Sequence, residues 1–331
     1  MFRPRGHVQL TQGSKPNTTL SAQIPVIDMT TQVEGLGPSK ALGKRLDKAR
    51  FNPVSVLLLS PSIVLLATLF AFPIAYAIYL GFTNLQLIGP HSIHYQFTGL
   101  QNVWTLLADK EFIRSLWLTL IFVVASGAVG ATLLGMVMAI AMQECLPVVR
   151  LVVNGLAIVA WSLPPSTIAI IWYAAATHNG IVPMILGHPD YDLLYDKALL
   201  VVSIANSWSL AGLATIMFAA ALRNIPRDID EAAMLENASP RQRLMYLTIP
   251  LLKPTIETSA LLMMLLTFGN FTLIYLMTAG GPGNDTNILP VYSYLQGFSF
   301  HKLGYAALLG NVIVILSGLL GGTFVLLTKR R

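Results

Sequence analysis

Six long apolar blocks alternate with short polar segments along the chain, near residues 55–81, 115–143, 151–176, 198–222, 256–279 and 305–328. Each can cross about 30 Å of hydrocarbon at about 1.5 Å of rise per residue. A helix satisfies its own backbone groups in lipid, so the pattern predicts six transmembrane helices and an all-α, polytopic membrane protein. Pro61, Pro73, Pro164 and Pro165 fall inside blocks. Membrane helices tolerate proline where neighbours satisfy the freed carbonyls. Trp161 with Pro164 and Pro165 should break the third block near its middle, a kink that either shapes a cavity or is filled by neighbours.

Composition excludes the soluble alternative. Of 331 residues 54% are hydrophobic and 11% charged, where a soluble domain carries about 25% charged. The single cysteine, Cys145, can form neither an internal disulfide nor a thiolate metal site. The basic residues are scattered over short membrane-flanking segments rather than gathered on one domain, which disfavours nucleic-acid binding. Five of the six histidines fall in the segments assigned to the outside, with no metal-ligand spacing.

Residues 1–50 are polar and lack the apolar core of a secretory signal, so no cleavage is expected. Within them 39–51, SKALGKRLDKARF, places Leu42 and Leu46 one helical turn apart among Lys40, Lys44, Arg45, Lys48 and Arg50. That fits a basic helix lying on the membrane surface, and fits a solvated linker equally well. Seventeen Lys and Arg fall on the side of the two termini and the 223–254 loop, against Lys110, Arg114, Lys197 and Lys302 on the other. The positive-inside rule then makes both termini, including the tail 329–331, cytoplasmic.

The spans are nearly free of charge. Glu257, two residues into the fifth block, is the one Asp, Glu, Lys or Arg within them. Charge at a helix centre costs about 2.5–3.5 kcal/mol on insertion scales and is usually kept for proton relays and ion paths. Coupling to a proton gradient is therefore disfavoured. The stretch nearest to a phosphate-binding loop, GPSKALGKR, has Pro38 where the leading glycine belongs and Arg45 where Ser or Thr belongs. No nucleophile–base pair or HExxH appears, so this is not an enzyme, and any nucleotide is hydrolysed by another chain.

The 223–254 segment, RNIPRDIDEAAMLENASPRQRLMYLTIPLLKP, carries the strongest local signals. Pro226 suits a first helical turn, and Asp228, Asp230 and Glu231 suit its positive end. Ala232 and Ala233 leave a smooth face. Asn237 can take the left-handed conformation that ends a helix. Ser239-Pro240-Arg241-Gln242 reads as a capping box opening a second helix, and Pro250 and Pro254 mark the return to the membrane. A helix–turn–helix outside the bilayer is expected.

This segment resembles the EAA motif of binding-protein-dependent ABC importer permeases: Glu-Ala-Ala, three residues, Gly-Ala, then Ile and Pro. Glu231, Ala232, Ala233, Ala238, Ile249 and Pro250 match, and Asn237 stands in the usual glycine position. Phe97-Thr98-Gly99-Leu100-Gln101-Asn102 is similar to the F-x-G-L-x-N element before span two of sugar-type permeases. Thr278-Ala279-Gly280-Gly281-Pro282 is similar to T-x-G-G-P after span five, and Gly304-Tyr305-Ala306-Ala307 to the start of the last span. The resemblance covers about 53–328 and favours the carbohydrate (maltose/sugar-type) branch, without the extra spans and large outer domain of one maltose-type permease.

The resemblance implies a type I ABC importer permease in a bacterial cytoplasmic (inner) membrane, working by alternating access. The EAA loop would be a coupling helix docked on an ATPase subunit. Glu231 would pair with a basic residue there, Ala232 and Ala233 would pack, and Asn237 and Ala238 would form the turn. Implied partners are two ATPase subunits, which bind ATP and Mg, a second permease in a heterodimer, and an extracytoplasmic solute-binding protein. This chain would hold no cofactor of its own.

For a substrate path, span four offers Asn206, Ser207, Trp208 and Ser209, and span five offers Thr267, Gly269, Asn270 and Thr272. Asn206 lies about 12 Å and Asn270 about 13 Å from the outer ends of their blocks. Two amides at one depth could face a sugar, or could bond the spans to each other. Asparagines at the positions of Asn206 and Asn270 line the sugar site in the maltose type, which the resemblance carries over. Trp208, Thr267 and Thr272 are candidates by position alone. Other cargoes are glycerol phosphate, peptides, amino acids or acidic oligosaccharides. The segments assigned to the outside hold six acids against four bases and so offer no evident anion attraction. The rival class is a secondary carrier or channel independent of ATP.

Overall fold

The computed structural model describes residues 53–329. The expected N-terminal extension 1–50, with its surface helix near 39–51, lies outside the described residues. Six helices are long and apolar enough to cross a membrane: Leu57–Gly81, Lys110–Ala141, Pro165–Ile185, Ala198–Arg223, Pro240–Phe268 and Leu303–Leu326. Among the described residues there is no strand, only an isolated bridge between Thr83 and Phe97.

The chain divides into two units, Met1–Leu65 and Leu66–Arg331. The described part of the first belongs to helix α1, Pro53–Leu66, which contains Pro61. Its Leu57, Leu58, Ile63 and Val64 are all more than half exposed.

The second unit is a helical bundle. Its elements are α2 (Phe72–Gly81), α3 (Gln101–Ala108), α4 (Lys110–Ala141), α5 (Pro147–Ser162), α6 (Pro165–Ala176), α7 (Ala198–Arg223), α8 (Arg227–Leu235), α9 (Pro240–Phe268), α10 (Phe271–Thr278), α11 (Leu289–Tyr294) and α12 (Leu303–Lys329). α7 is the central helix and packs on α4, α5 and α9. Small residues let the backbones approach. A Cβ on Gly135 of α4 would strike Ala214 and Thr215 of α7, the small-residue packing that replaces the hydrophobic effect between membrane helices. Phe218, Leu252 and Met263 fill the space around this contact.

The third block breaks where its paired prolines predict, and the fifth, which reads as continuous, is broken as well. α5 ends at Ser162, Leu163 and Pro164 are extended, and α6 restarts with Pro165 at its first position. Each proline bars its predecessor from the helical region, so two in succession impose an extended dipeptide. The fifth span breaks at Gly269–Asn270, between α9 and α10.

At 240–254 the helix is continuous where a separate one is expected. The expected second loop helix is the root of α9, which runs without a break through Pro250 and Pro254. A π-helical turn, Leu244–Thr248, precedes Pro250. It widens the helix where the proline ring would otherwise meet a carbonyl one turn back.

The end of the bundle near residues 81–110 is closed by side chains. Asn102 donates from Nδ2 to the carbonyls of Gly81 at 2.9 Å and Thr83 at 2.8 Å, capping α2. Gly99 in the same F-x-G-L-x-N element has φ 60°, which favours glycine. Thr278 and Thr286 share a 2.6 Å hydrogen bond, and Thr286 Oγ1 donates to the Gly281 carbonyl, closing the T-x-G-G-P turn. Polar side chains thus tie each element to its neighbouring segment.

Candidate functional site

The loop between α7 and α9 follows its local signals closely. Pro226 takes the N-cap position of α8, one residue ahead of its expected place, and Asp228 and Asp230 occupy the first turn. Asn237 ends the helix with φ 57°. Its N–H donates to the Met234 carbonyl and the Ala238 N–H to the Ala233 carbonyl, each at 3.0 Å, the bond pair of a Schellman turn. Ser239 and Gln242 form the reciprocal capping box at the start of α9. Arg243 Nη1 then donates to both oxygens of Asp230, at 2.8 and 2.7 Å. This pair ties α8 to the root of α9.

One face of α8 is left bare. Glu231 and Ala232 are exposed, while Ala233 and Ala238 are half-buried. Met234 is 50% and Leu235 85% exposed, three and four residues from Glu231 and so on its side of the helix. Tyr246, in the adjacent π turn, is 77% exposed. Large apolar side chains beside a carboxylate, on a polar loop, suit a docking face.

A second polar cluster lies inside the bundle at the break in span five. Asn206 of α7 is fully buried. Its Nδ2 donates to Ser126 Oγ of α4 at 2.8 Å and to Thr267 Oγ1 of α9 at 3.0 Å. Its Oδ1 accepts from Nδ2 of Asn270 at 2.8 Å. Ser126 Oγ donates to the Phe122 carbonyl, and Thr267 Oγ1 to the Met263 carbonyl. The cluster therefore ties α4, α7 and α9 together through their own polar side chains. Ser126 lies in a nine-residue π-helical stretch, Val123–Ala131. There, Gly127 is so close that a Cβ would come within 2.6 Å of Thr267 Oγ1 and 2.9 Å of the Met263 carbonyl.

Residues 131–331 match the family described as binding-protein-dependent transport system inner membrane component. The chain belongs to this family. It is 28% identical over 272 residues, 80% of its length and 86% of the relative's, to the sulfoquinovosyl glycerol transport system permease protein SmoG of Agrobacterium fabrum. It is 31% identical over 228 residues, 67% of its length and 75% of the relative's, to the trehalose/maltose transport system permease protein MalF of Thermococcus litoralis. A chain of the bacterial alginate ABC transporter, solved with an alginate pentasaccharide-bound periplasmic protein, superposes with a TM-score of 0.70. It is 18% identical and the match covers 84% of this chain and 94% of that one. The protein is thus a multi-pass inner-membrane permease subunit of the ABC importer type, with the all-α fold of that class.

Of the five substrate-path candidates in this permease, the structure brings three together. Asn206, Asn270 and Thr267 form one hydrogen-bonded cluster. Trp208 is 38% exposed and meets the ring of Trp172 edge-on at 6.2 Å. Thr272 is exposed. Neither joins the cluster. Trp161 lies two residues before the break between α5 and α6 and is 44% exposed.

Sequence reasoning passed over Ser126 and Gly127. Their signal was present in the run Ala125–Ala131, ASGAVGA, the one long small-residue stretch of span two. It also passed over Asp109. The Asp109 side chain caps α4 through the N–H groups of Glu111 and Phe112, and accepts hydroxyls from Tyr292 of α11 and Tyr305 of α12. Burial pushes its carboxyl up, but the two tyrosine and two backbone hydrogen bonds outweigh burial and hold it below the ordinary carboxylate value.

Proposed function

We propose that this permease passes a carbohydrate delivered by an extracytoplasmic binding protein, driven by ATPase subunits that grip α8 from the cytoplasm. The braced loop carries this reading. Schellman turn, capping box and the Arg243–Asp230 pair make α8 and the root of α9 one rigid lever. Its free face offers Glu231, Ala232, Met234 and Leu235 to a partner. A force applied to that face passes directly into α9, whose far end carries Thr267 and the break at Asn270.

Two ATPase subunits binding ATP and Mg, and a second permease, complete the machine in this reading, and both termini are cytoplasmic. Carbohydrate cargo is supported by SmoG and MalF, whose names give sulfoquinovosyl glycerol and trehalose/maltose. In the described conformation Asn206 has both amide hydrogens engaged. Asn270 is half-buried and uses one, so it is the group better placed to meet a cargo hydroxyl, with Asn206 orienting it. Trp208 and Thr272, exposed nearby in sequence, are the remaining contact candidates.

The experiment is Glu231→Ala in the assembled transporter. The expected result is loss of ATPase co-purification and of ATP-driven uptake, each by at least tenfold. Wild-type assembly and uptake would overturn the reading.

A further inference from the structure

A cavity of about 600 Å³ opens at the loop end of the bundle, between α4, α5, α7, α8 and α9. Four arginines line it: Arg150 from α5, Arg223 from the end of α7, Arg227 from the start of α8 and Arg243 from the root of α9. Asp230 is the one acidic side chain in its described lining. The positive-inside rule accounts for arginines on this side of the bundle. It gives no reason for four of them, from four elements, to converge on one concavity where they repel one another.

The four are not equivalent. Arg150 donates from Nε to the Met142 carbonyl at 3.0 Å and from Nη2 to the Gln143 carbonyl at 2.7 Å, so it is fixed in place. Arg243 is held by Asp230, yet its buried Nε–H has no hydrogen-bond partner among the described residues. A buried charged donor left unmade is costly and points to a ligand. Arg223 and Arg227 are exposed and form no ion pair among the described residues. The rest of the wall is mostly apolar. Leu247 and Leu251 lie one turn apart on α9, and Leu251 is 46% exposed, so the cavity borders an apolar flank of the bundle.

We propose that this cavity is a phosphate-type oxyanion site, filled by the headgroup of an anionic phospholipid whose chains lie along the Leu247–Leu251 flank. Arg223 and Arg227 supply the free charge, Arg243 Nε the buried donor, and Arg150 a fixed positive wall. Basic pockets between membrane helices commonly recognise anionic headgroups, with each nearby Lys or Arg contributing about fivefold in affinity. A free inorganic phosphate offers the same oxygens, and the experiment separates the two sources.

The full chain, purified in detergent with its accompanying subunits, is examined by native mass spectrometry after incubation with phosphatidylglycerol or phosphatidylcholine, with and without millimolar inorganic phosphate. The site predicts retained phosphatidylglycerol and little phosphatidylcholine. Arg223→Gln with Arg227→Gln should reduce retention by about twenty-fivefold, two charges at about fivefold each. Arg223→Lys with Arg227→Lys should keep most of it, which separates charge from a folding defect. Phosphate bound in wild type and lost in the glutamine variant, with no lipid preference, would assign the same site to a free anion. Equal lipid retention and equal phosphate binding in wild type and the glutamine variant would overturn the proposal.

Discussion

Asn270, at the break in span five, donates its side-chain amide to Oδ1 of Asn206 in span four at 2.8 Å. Asn206 passes its own two amide hydrogens to span two and to the helix that precedes the break. Interhelical hydrogen bonds in membranes average about 0.6 kcal/mol each, so replacing Asn206 by alanine should cost about 2 kcal/mol. Asn270→Ala removes one of these bonds and should cost less. Thermal unfolding of the purified permease checks the order, and the double variant should show coupling between the two sites. Equal, additive effects would remove the pair from the core of the site.

Asn237 stands in the left-handed conformation that ends α8. Asn237→Gly should leave stability and uptake unchanged or slightly improved, because glycine adopts this conformation without strain. Asn237→Val should destabilise the loop by about 1–2 kcal/mol and lower ATP-driven uptake. Equal uptake in both variants would mean that the turn is not used in coupling.

Asp109 has its carboxyl held below the ordinary value by Tyr292, Tyr305 and two backbone N–H groups, which outweigh its burial. A carboxylate depressed in the folded state adds stability that is present above its unfolded value of about 3.9 and is lost as pH falls through the folded value. Asp109→Asn should therefore be less stable than wild type at pH 7, and the gap should narrow progressively as the pH falls below about 4. Unfolding midpoints measured from pH 7 to pH 3 give the two curves. A gap independent of pH would assign the loss to packing instead.

The outline of the fold was legible because lipid leaves a chain few choices. Twenty or more apolar residues must be helical, and Pro164 with Pro165 states where the third block bends. The 226–243 loop was legible almost to the residue, since Asn237, Ser239 and Gln242 act through bonds to their immediate neighbours. Pro250 and Pro254 misled, because the π turn at Leu244–Thr248 absorbs a ring that in a regular helix would signal a stop. The break at Gly269–Asn270 and the partnership with Ser126 were not legible. They depend on which faces of three helices meet, and an all-apolar helix carries no amphipathic stripe to record that. The Asp109 cluster joins residues separated by 183 and 196 positions, beyond any local pattern.

The central claim is that α8 and the root of α9 move as one lever because Arg243 holds Asp230. ATP-driven uptake into proteoliposomes by the assembled transporter tests it with a charge exchange. Asp230→Arg alone and Arg243→Asp alone should each lose most uptake, and the two together should restore at least half. Wild-type uptake by either single variant, or no recovery in the exchanged pair, would contradict the account.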